Sequence, residues 1–314
     1  MTKQIVFIGQ ISDKEKTAWI TSIQAQLTGV NIIAYEALSP EQKLNIEVAI
    51  VANPDPKQLT ELPKLVWIQS LWAGVERLVS ELPNTKFDIV RMEDPNLAET
   101  MAEAVVAWTF YLHRDMPKYL QQQRQKIWRE LDLVELKDRR IGILGLGILG
   151  STSTKKLRLN GFNVTGWSRK LASIEGVQCF NGKDGLQKVL TQSDILVSLL
   201  PLTHETQHLL NDHNLSLLPQ GASIINFSRG KVIDEKALLS HLESGHLNHA
   251  VLDVFKIEPL PVDNALWESP KVTILPHISA PTNTRTASKL VAKNLLNYFD
   301  TGEIPNAIDR TKGY

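Results

Sequence analysis

The chain has 314 residues, with 34 Lys and Arg against 34 Asp and Glu, so its formal net charge is zero. That balance leaves no global field for holding a polyphosphate backbone, which excludes a nucleic-acid coat. With 43% hydrophobic and 22% charged residues it has the make-up of an ordinary globule of about two domains, neither disordered nor fibrous.

The N-terminal run MTKQIVFIGQ is basic only at Lys3 and its apolar stretch stops at Gly9, too short for a signal segment. Strand candidates follow in QIVFIG, NIIAY, VAIVA, KLVWIQS and DIVRM, with helical segments between them such as the one from Asp13 to Leu27. From Asn96 a helical stretch runs to Pro117, and KYLQQQRQKIW continues it without an intervening strand. A second series of strands then begins: RRIGILG, FNVTGW, DILVSLL, ASIINF, NHAVLDV and KVTIL. Six strands with helices between them make a complete dinucleotide-binding sheet. The last helical stripe, Ala287, Leu290, Val291, Leu295 and Tyr298, is then free to return to the first domain. The expected class is α/β with two domains: residues 100–283 form a Rossmann domain, and residues 1–99 with 284–314 form a smaller one. No stretch approaches the ~20 apolar residues of a membrane span, and no membrane partner is expected. The one cysteine, Cys179, can form no intrachain disulfide and has no His or Cys neighbour in GVQCFNG, as suits a structural thiol in a reducing cytoplasm. No metal site is expected.

Strand RRIGILG leads into Gly145-Leu146-Gly147-Ile148-Leu149-Gly150 and a helical STSTKKLRL. A GxGxxG alone is weak; between a strand and a helix it acquires a mechanism. Gly145 permits the tight turn, Gly147 lets backbone approach a pyrophosphate, and Gly150 lets helix and strand pack closely, while the helix N-terminus offers unpaired N–H groups. After the next strand stand Ser168, Arg169 and Lys170, where an NAD site would carry a carboxylate for the ribose hydroxyls. A hydroxyl and two cations suit a 2′-phosphate, so NADP is the expected cofactor, with NADPH preferred over NADH. Solvated turn residues would look the same.

Three further segments follow later strands: Asn226-Phe227-Ser228-Arg229-Gly230, Asp253-Val254-Phe255-Lys256-Ile257-Glu258-Pro259, and Pro276-His277-Ile278-Ser279. Each alone has a bland explanation as a strand-ending turn, a surface turn or an ordinary histidine. Arg, Glu and His in that order, downstream of a dinucleotide loop, are much harder to obtain by chance. Hydride delivery to a ketone builds charge on oxygen, which calls for a fixed cation and a proton donor titrating near neutrality. Arginine can grip a carboxylate in two prongs, and a carboxylate beside histidine favours imidazolium.

These motifs, with LWAGVERL, RMEDPNLAETM, GWSRK, DVFKIEPLP, LPHIS and the terminal KGY, resemble the D-isomer-specific 2-hydroxyacid dehydrogenase family along nearly the whole chain, and within it the glyoxylate/hydroxypyruvate reductase A group. The resemblance implies a flavodoxin-like substrate domain beside the Rossmann domain. It implies catalytic roles for Arg229 on the substrate carboxylate and keto oxygen, for His277 as general acid, and for Glu258 as the group that orients His277. It places Asp253 on the nicotinamide carboxamide and adds Leu200, Pro201, Thr206 and Ser228 to the cofactor contacts, alongside Ile148 and Leu149 of the glycine loop. Trp72, Ala73 and Gly74 would contact substrate, with Trp72 lining the pocket or packing into an interdomain cleft; many relatives carry a small residue there. The long helix and the arm after it correspond to the family's dimerisation region, so a homodimer is expected.

The resulting expectation is an NADPH-dependent reductase of small 2-oxo acids, glyoxylate to glycolate and hydroxypyruvate to D-glycerate. Two alternatives remain: an NAD-linked D-2-hydroxyacid dehydrogenase with another substrate, and a non-catalytic nucleotide sensor on the same scaffold.

Overall fold

A computed structural model describes residues 3–310; the Lys312-Gly313-Tyr314 end lies outside the described residues. The chain divides into two compact units, one from residues up to Asn96 together with those from Thr282 on, the other Leu97–Pro281.

The first unit begins with β1 (Lys3–Gly9), α1 (Asp13–Gln24), β2 (Val30–Ala34), α2 (Pro40–Lys43) and β3 (Val48–Ala52). It continues with α3 (Pro56–Thr60), β4 (Trp67–Ser70), α4 (Glu76–Glu81) and β5 (Asp88–Val90). The five strands form a parallel sheet in the order β2-β1-β3-β4-β5. Their near-continuous apolar sequences follow from burial on both faces. Along β1, Ile5 and Phe7 enter one core and Val6 and Ile8 the other; along β3, Val48 and Ile50 alternate in the same way with Ala49 and Val51. Helix α1 starts at a reciprocal cap, in which the Ser12 hydroxyl accepts from Glu15 N–H and the Glu15 carboxylate accepts from Ser12 N–H.

The second unit takes most of α5 (Pro95–His113), then α6 (Met116–Gln125), β6 (Arg140–Leu144), α7 (Ile148–Leu159), β7 (Asn163–Trp167), β8 (Gln178–Phe180) and α8 (Gly182–Gln192). After these come β9 (Ile195–Ser198), α9 (Asp212–Ser216), β10 (Ala222–Asn226), α10 (Glu235–Glu243), β11 (Leu247–Leu252) and β12 (Val272–Ile274). The sheet is parallel, seven-stranded and ordered β12-β11-β10-β9-β6-β7-β8. The order reverses between β6 and β9, the switch point at which open α/β sheets hold ligands.

Two details differ from the sequence expectation. The helical stretch expected to run to Pro117 stops at His113, because Asp115 takes a left-handed conformation (φ 53°) and the chain restarts as α6. The sheet also gains a seventh strand, β8, which carries Cys179 opposite Gly166 on an edge. Among the described residues no helix is long and apolar enough to cross a membrane.

Helix α11 (Thr284–Thr301) closes the first unit. Ala287, Val291 and Leu295 are buried with Ile5, Phe7 and Trp67, and the Trp67 ring meets Tyr298 edge-on at 5.5 Å. Leu295→Ala is expected to cost roughly 2–5 kcal/mol in urea denaturation, the range for a truncated, fully buried leucine. A loss below about 1 kcal/mol would show that α11 is not integral to that core.

Candidate active site

One row of residues crosses the whole second sheet. Pairing aligns Ile274 with Leu252, Leu252 with Asn226, Asn226 with Ser198, Ser198 with Leu144, Leu144 with Trp167 and Trp167 with Phe180. The row ends the strands, and within three residues beyond it come Gly145, Ser168, Leu200, Ser228, Arg229, Asp253 and His277. Hydrogen-bond register thus carries residues from six separate stretches of sequence to one edge of one sheet.

At the glycine loop, Gly145 holds φ +99°, and a Cβ there would stand 2.8 Å from the Leu199 carbonyl oxygen. A Cβ on Gly150 would overlap the Gly145 carbonyl, so the helix can press against the turn only without one. Gly147 differs, since a Cβ there would meet nothing within 4 Å. It is the N-cap of α7, with no side-chain cap. Ser151 N–H donates to the Gly147 carbonyl at 2.8 Å, so the N–H groups of Ile148, Leu149 and Gly150 precede the first intrahelical bond. An exposed backbone shelf and an uncapped helix N-terminus fit a diphosphate.

The segment after β7 exposes Arg169 and Lys170, while the Ser168 hydroxyl donates to the Lys170 carbonyl at 2.6 Å and shapes the turn. Beyond β9, Leu200 is buried and Pro201 half-buried. The Thr206 hydroxyl donates to the Pro201 carbonyl at 2.6 Å and accepts from Thr203 N–H at 2.8 Å. That hydroxyl therefore closes its own loop. The Ser228 hydroxyl is likewise engaged inside the protein, donating to Asn226 Oδ1 at 2.6 Å.

His277 and Glu258 are hydrogen-bonded, Nδ1 to Oε2 at 2.8 Å. The other Glu258 oxygen accepts from Phe255 N–H at 2.8 Å, which fixes the carboxylate. His277 Nε2 has no partner among the described residues, and the side chain is 54% exposed. The hydrogen bond to Glu258 raises the His277 pKa above its usual 6.5; burial opposes it, the charges of Glu258 and Asp253 add to it, and Arg229 works against it. Burial pushes the Glu258 carboxyl upward, but the hydrogen bonds from His277 and Phe255 N–H, with the charges of His277 and Arg229, hold it below the usual range. Arg229 lies within electrostatic reach of both, and its guanidinium donates to the Ser228 carbonyl at 2.7 Å. A Cβ on Gly230 would overlap the Phe255 carbonyl, so the loop carrying Arg229 abuts the segment that leads to Glu258.

Asp253 is 2% exposed, and its two oxygens accept from Ile278 N–H at 2.7 Å and Ser279 N–H at 2.9 Å. His277 itself sits in the left-handed region (φ 54°), and this clamp holds the chain immediately after it. The Asp253 clamp and the bracing by Asn226 of the Arg229 loop escaped sequence reading. The only signal was a polar residue at the very end of an apolar strand, which also reads as a cap.

In the first unit, the chain after β4 forms a tight turn in which the Ser70 hydroxyl accepts from Trp72 N–H at 3.0 Å and donates to the Trp72 carbonyl at 3.1 Å. The N–H groups of Ala73 and Gly74 have no acceptor among the described residues. Trp72 turns into its own unit, packing edge-on against Trp19 at 6.3 Å beside the core. Trp108 meets Tyr111 edge-on at 5.0 Å and packs against the second unit's core, whereas Trp128 is fully exposed.

A doubly wound parallel sheet, with a glycine turn leading into a helix N-terminus at its switch point, defines a Rossmann-type dinucleotide-binding domain. Residues 106–279 match the model described as D-isomer specific 2-hydroxyacid dehydrogenase, NAD binding domain. The glyoxylate/hydroxypyruvate reductase A of Serratia proteamaculans (strain 568) is 34% identical over 303 residues, covering 94% of this chain and 96% of the relative. The crystal structure of a D-isomer specific 2-hydroxyacid dehydrogenase from Xanthobacter autotrophicus Py2 in complex with NADPH and MES matches with a TM-score of 0.92 and 34% identity, over 100% of both chains. The NADPH-dependent glyoxylate/hydroxypyruvate reductase of Sinorhizobium meliloti in complex with NADP and sulfate matches with a TM-score of 0.90 and 28% identity, over 99% of this chain and 100% of the other. The chain belongs to the D-isomer specific 2-hydroxyacid dehydrogenase family.

The two glycines should separate packing from ligand contact. Gly150→Ala is expected to lower thermal stability, whereas Gly147→Ala should keep the wild-type melting temperature and weaken dinucleotide binding in a fluorescence titration. A Gly147→Ala protein that binds NADPH as tightly as the parent would remove the shelf from the site.

Proposed function

We propose that the protein reduces small 2-oxo acids with NADPH, glyoxylate to glycolate and hydroxypyruvate to D-glycerate. The observation that carries this reading is the Arg229, Glu258 and His277 constellation, in which a cation stands near an imidazole whose charged form is favoured by the carboxylate it donates to. The relatives named for glyoxylate and hydroxypyruvate support the substrate class, and those solved with NADPH or NADP support the cofactor. When bound, the nicotinamide supplies the hydride for C2 of the acid.

Gly145, Gly147 and Gly150, with the Ile148 and Leu149 N–H groups, hold the diphosphate. Arg169 and Lys170 take the 2′-phosphate on the turn that Ser168 shapes. Leu200 and Pro201 wall the nucleotide, in a loop that Thr206 closes. Arg229 grips the substrate carboxylate and keto oxygen in two prongs. His277 Nε2 donates its proton to that oxygen as charge builds there, and Glu258 keeps the ring oriented and protonated. Asp253 accepts from the backbone behind His277, and a contact to the carboxamide through the same carboxylate belongs to this reading. Ser228 belongs to the nucleotide wall through its backbone. Ala73 and Gly74 contribute substrate contacts through their unpaired N–H groups, and Trp72, its ring packed on Trp19, holds the turn that presents them. Assembly as a homodimer in the cytoplasm completes the proposal.

Reduction needs imidazolium, so kcat/KM should fall as pH rises through the raised His277 pKa, at a pH above 6.5. At the acid end activity is lost only where Glu258 takes up a proton, below its usual 4.5. The stability that the pair contributes follows the same signs. The His277 part is complete below the unfolded value and disappears as pH rises through the folded one; the Glu258 part disappears as pH falls through its lowered value. Both are present together between about 4.5 and 6.5.

Glu258→Gln should move the falling limb of the reductive profile acidward by about one pH unit or more, since an opposite charge beside the imidazole is removed. An unmoved limb would detach Glu258 from proton supply. His277→Ala should lower kcat by roughly 10²- to 10⁴-fold, and near-normal turnover would overturn the acid assignment. Arg169→Ala should cut the ratio of NADPH to NADH efficiency by roughly tenfold, the loss of one charge-assisted hydrogen bond. An unchanged ratio would return Arg169 to the role of a solvated turn residue. Initial rates against glyoxylate, hydroxypyruvate, pyruvate and phenylpyruvate test the substrate class, and activity confined to phenylpyruvate would overturn it.

A further inference from the structure

Two polar side chains interrupt the row that ends the second sheet, and neither touches solvent. Asn226 is 1% exposed and Ser198 is fully buried, on adjacent strands and paired in register. The Asn226 carboxamide spans the turn that follows it. Its Oδ1 accepts from Ser228 N–H at 3.2 Å and from the Ser228 hydroxyl at 2.6 Å, and its Nδ2 donates to the Arg229 carbonyl at 3.2 Å. With the single Ser228 hydroxyl proton committed to Asn226, the proton in the 3.0 Å contact between Ser228 and Ser198 comes from Ser198. Donors and acceptors in the group therefore form one directed chain from Ser198 through Ser228 and Asn226 to the backbone of Arg229.

The same turn holds the Arg229 side chain, whose guanidinium donates to the Ser228 carbonyl. On its far side Gly230 lies against the Phe255 carbonyl, leaving the turn no room to relax in that direction. A two-pronged grip on a carboxylate depends on the plane of the guanidinium, and a plane hinged on a loop carbonyl is only as fixed as the loop. Buried polar groups are normally hydrogen-bonded, so satisfaction alone would mean little. Here every bond converges on the two residues that set where one functional cation stands.

We propose that Asn226, braced by Ser198, is a positioning residue that fixes the guanidinium plane of Arg229 for a carboxylate. The inference rests on the reading of Arg229 as the substrate-carboxylate ligand. Its test therefore uses a carboxylate that does not react.

Oxalate binding to the NADPH-loaded enzyme would be followed by cofactor fluorescence, for Asn226→Ala, Ser198→Ala, Arg229→Lys and the two double variants with Arg229→Lys. Asn226→Ala should weaken oxalate about tenfold, and Ser198→Ala about threefold, while the NADPH dissociation constant changes by no more than about twofold. A lysine has no plane to set, so in the Arg229→Lys background both substitutions should lose most of their effect. Losses that multiply in the double variants, or an NADPH affinity that falls as far as the oxalate affinity, would overturn the proposal in favour of a purely structural network. If Asn226→Ala does not fold, the Ser198→Ala pair of measurements decides alone, since it removes one hydroxyl. Oxalate binding untouched by Arg229→Lys would instead overturn the reading of Arg229 itself, a result distinct from multiplying losses.

Discussion

The site in the second unit depends on strand register. Six parallel pairings bring the ends of seven strands into one row, and Gly145, Ser168, Leu200, Ser228, Arg229, Asp253 and His277 all follow within three positions of it. Because the side-chain period of a strand is two, slipping any strand by one residue would exchange its two faces. Ile143 and Leu144 enter opposite cores, as do Ile224 and Ile225, so such a slip would also misplace apolar groups on both sides of the sheet. The packing that stabilises the sheet is thus the same packing that sets the distance from Asn226 to Ser198 and the starting points of the loops beyond them.

Onto that edge the loops are fastened by a small number of buried polar groups. Asp253 takes the two N–H groups after His277, Glu258 divides its oxygens between His277 and Phe255 N–H, and Asn226 bridges Ser228 and Arg229. Gly230 then removes the space between two of these segments. The consequence is electrostatic as well as geometric. His277 feels two carboxylates and one guanidinium, and the balance favours its charged form, although these side chains follow three different strands, β10, β11 and β12.

Much of this was legible beforehand, for identifiable reasons. Strands buried on both faces announce themselves as apolar runs, and all five strands of the first unit and six of the seven in the second stood out in that way. The glycine turn was legible because its residues act through the absence of a side chain, which a sequence states directly. Strand β8 escaped notice because Gln178, Cys179 and Phe180 are none of them fully buried and form no apolar run of the kind that marks the other strands. The end of α5 was overrun because no glycine or proline marks it; the left-handed residue is Asp115. The Asn226–Ser198 contact, and the engagement of the Ser228 and Thr206 hydroxyls within their own loops, depend on pairings between distant segments. No local pattern encodes them.

The first unit is discontinuous in sequence, and that bears on how the chain is made. Its sheet is complete by Val90, yet α11, which supplies Ala287, Val291 and Leu295 to one of its two cores, follows nearly two hundred residues later. During synthesis the contiguous Leu97–Pro281 segment can therefore reach its full set of contacts while one face of the earlier sheet is covered only by α1, through Trp19 and Ile23. The first unit can then complete that core only after the second has been synthesised, and until α11 emerges part of its apolar face is open to a chaperone.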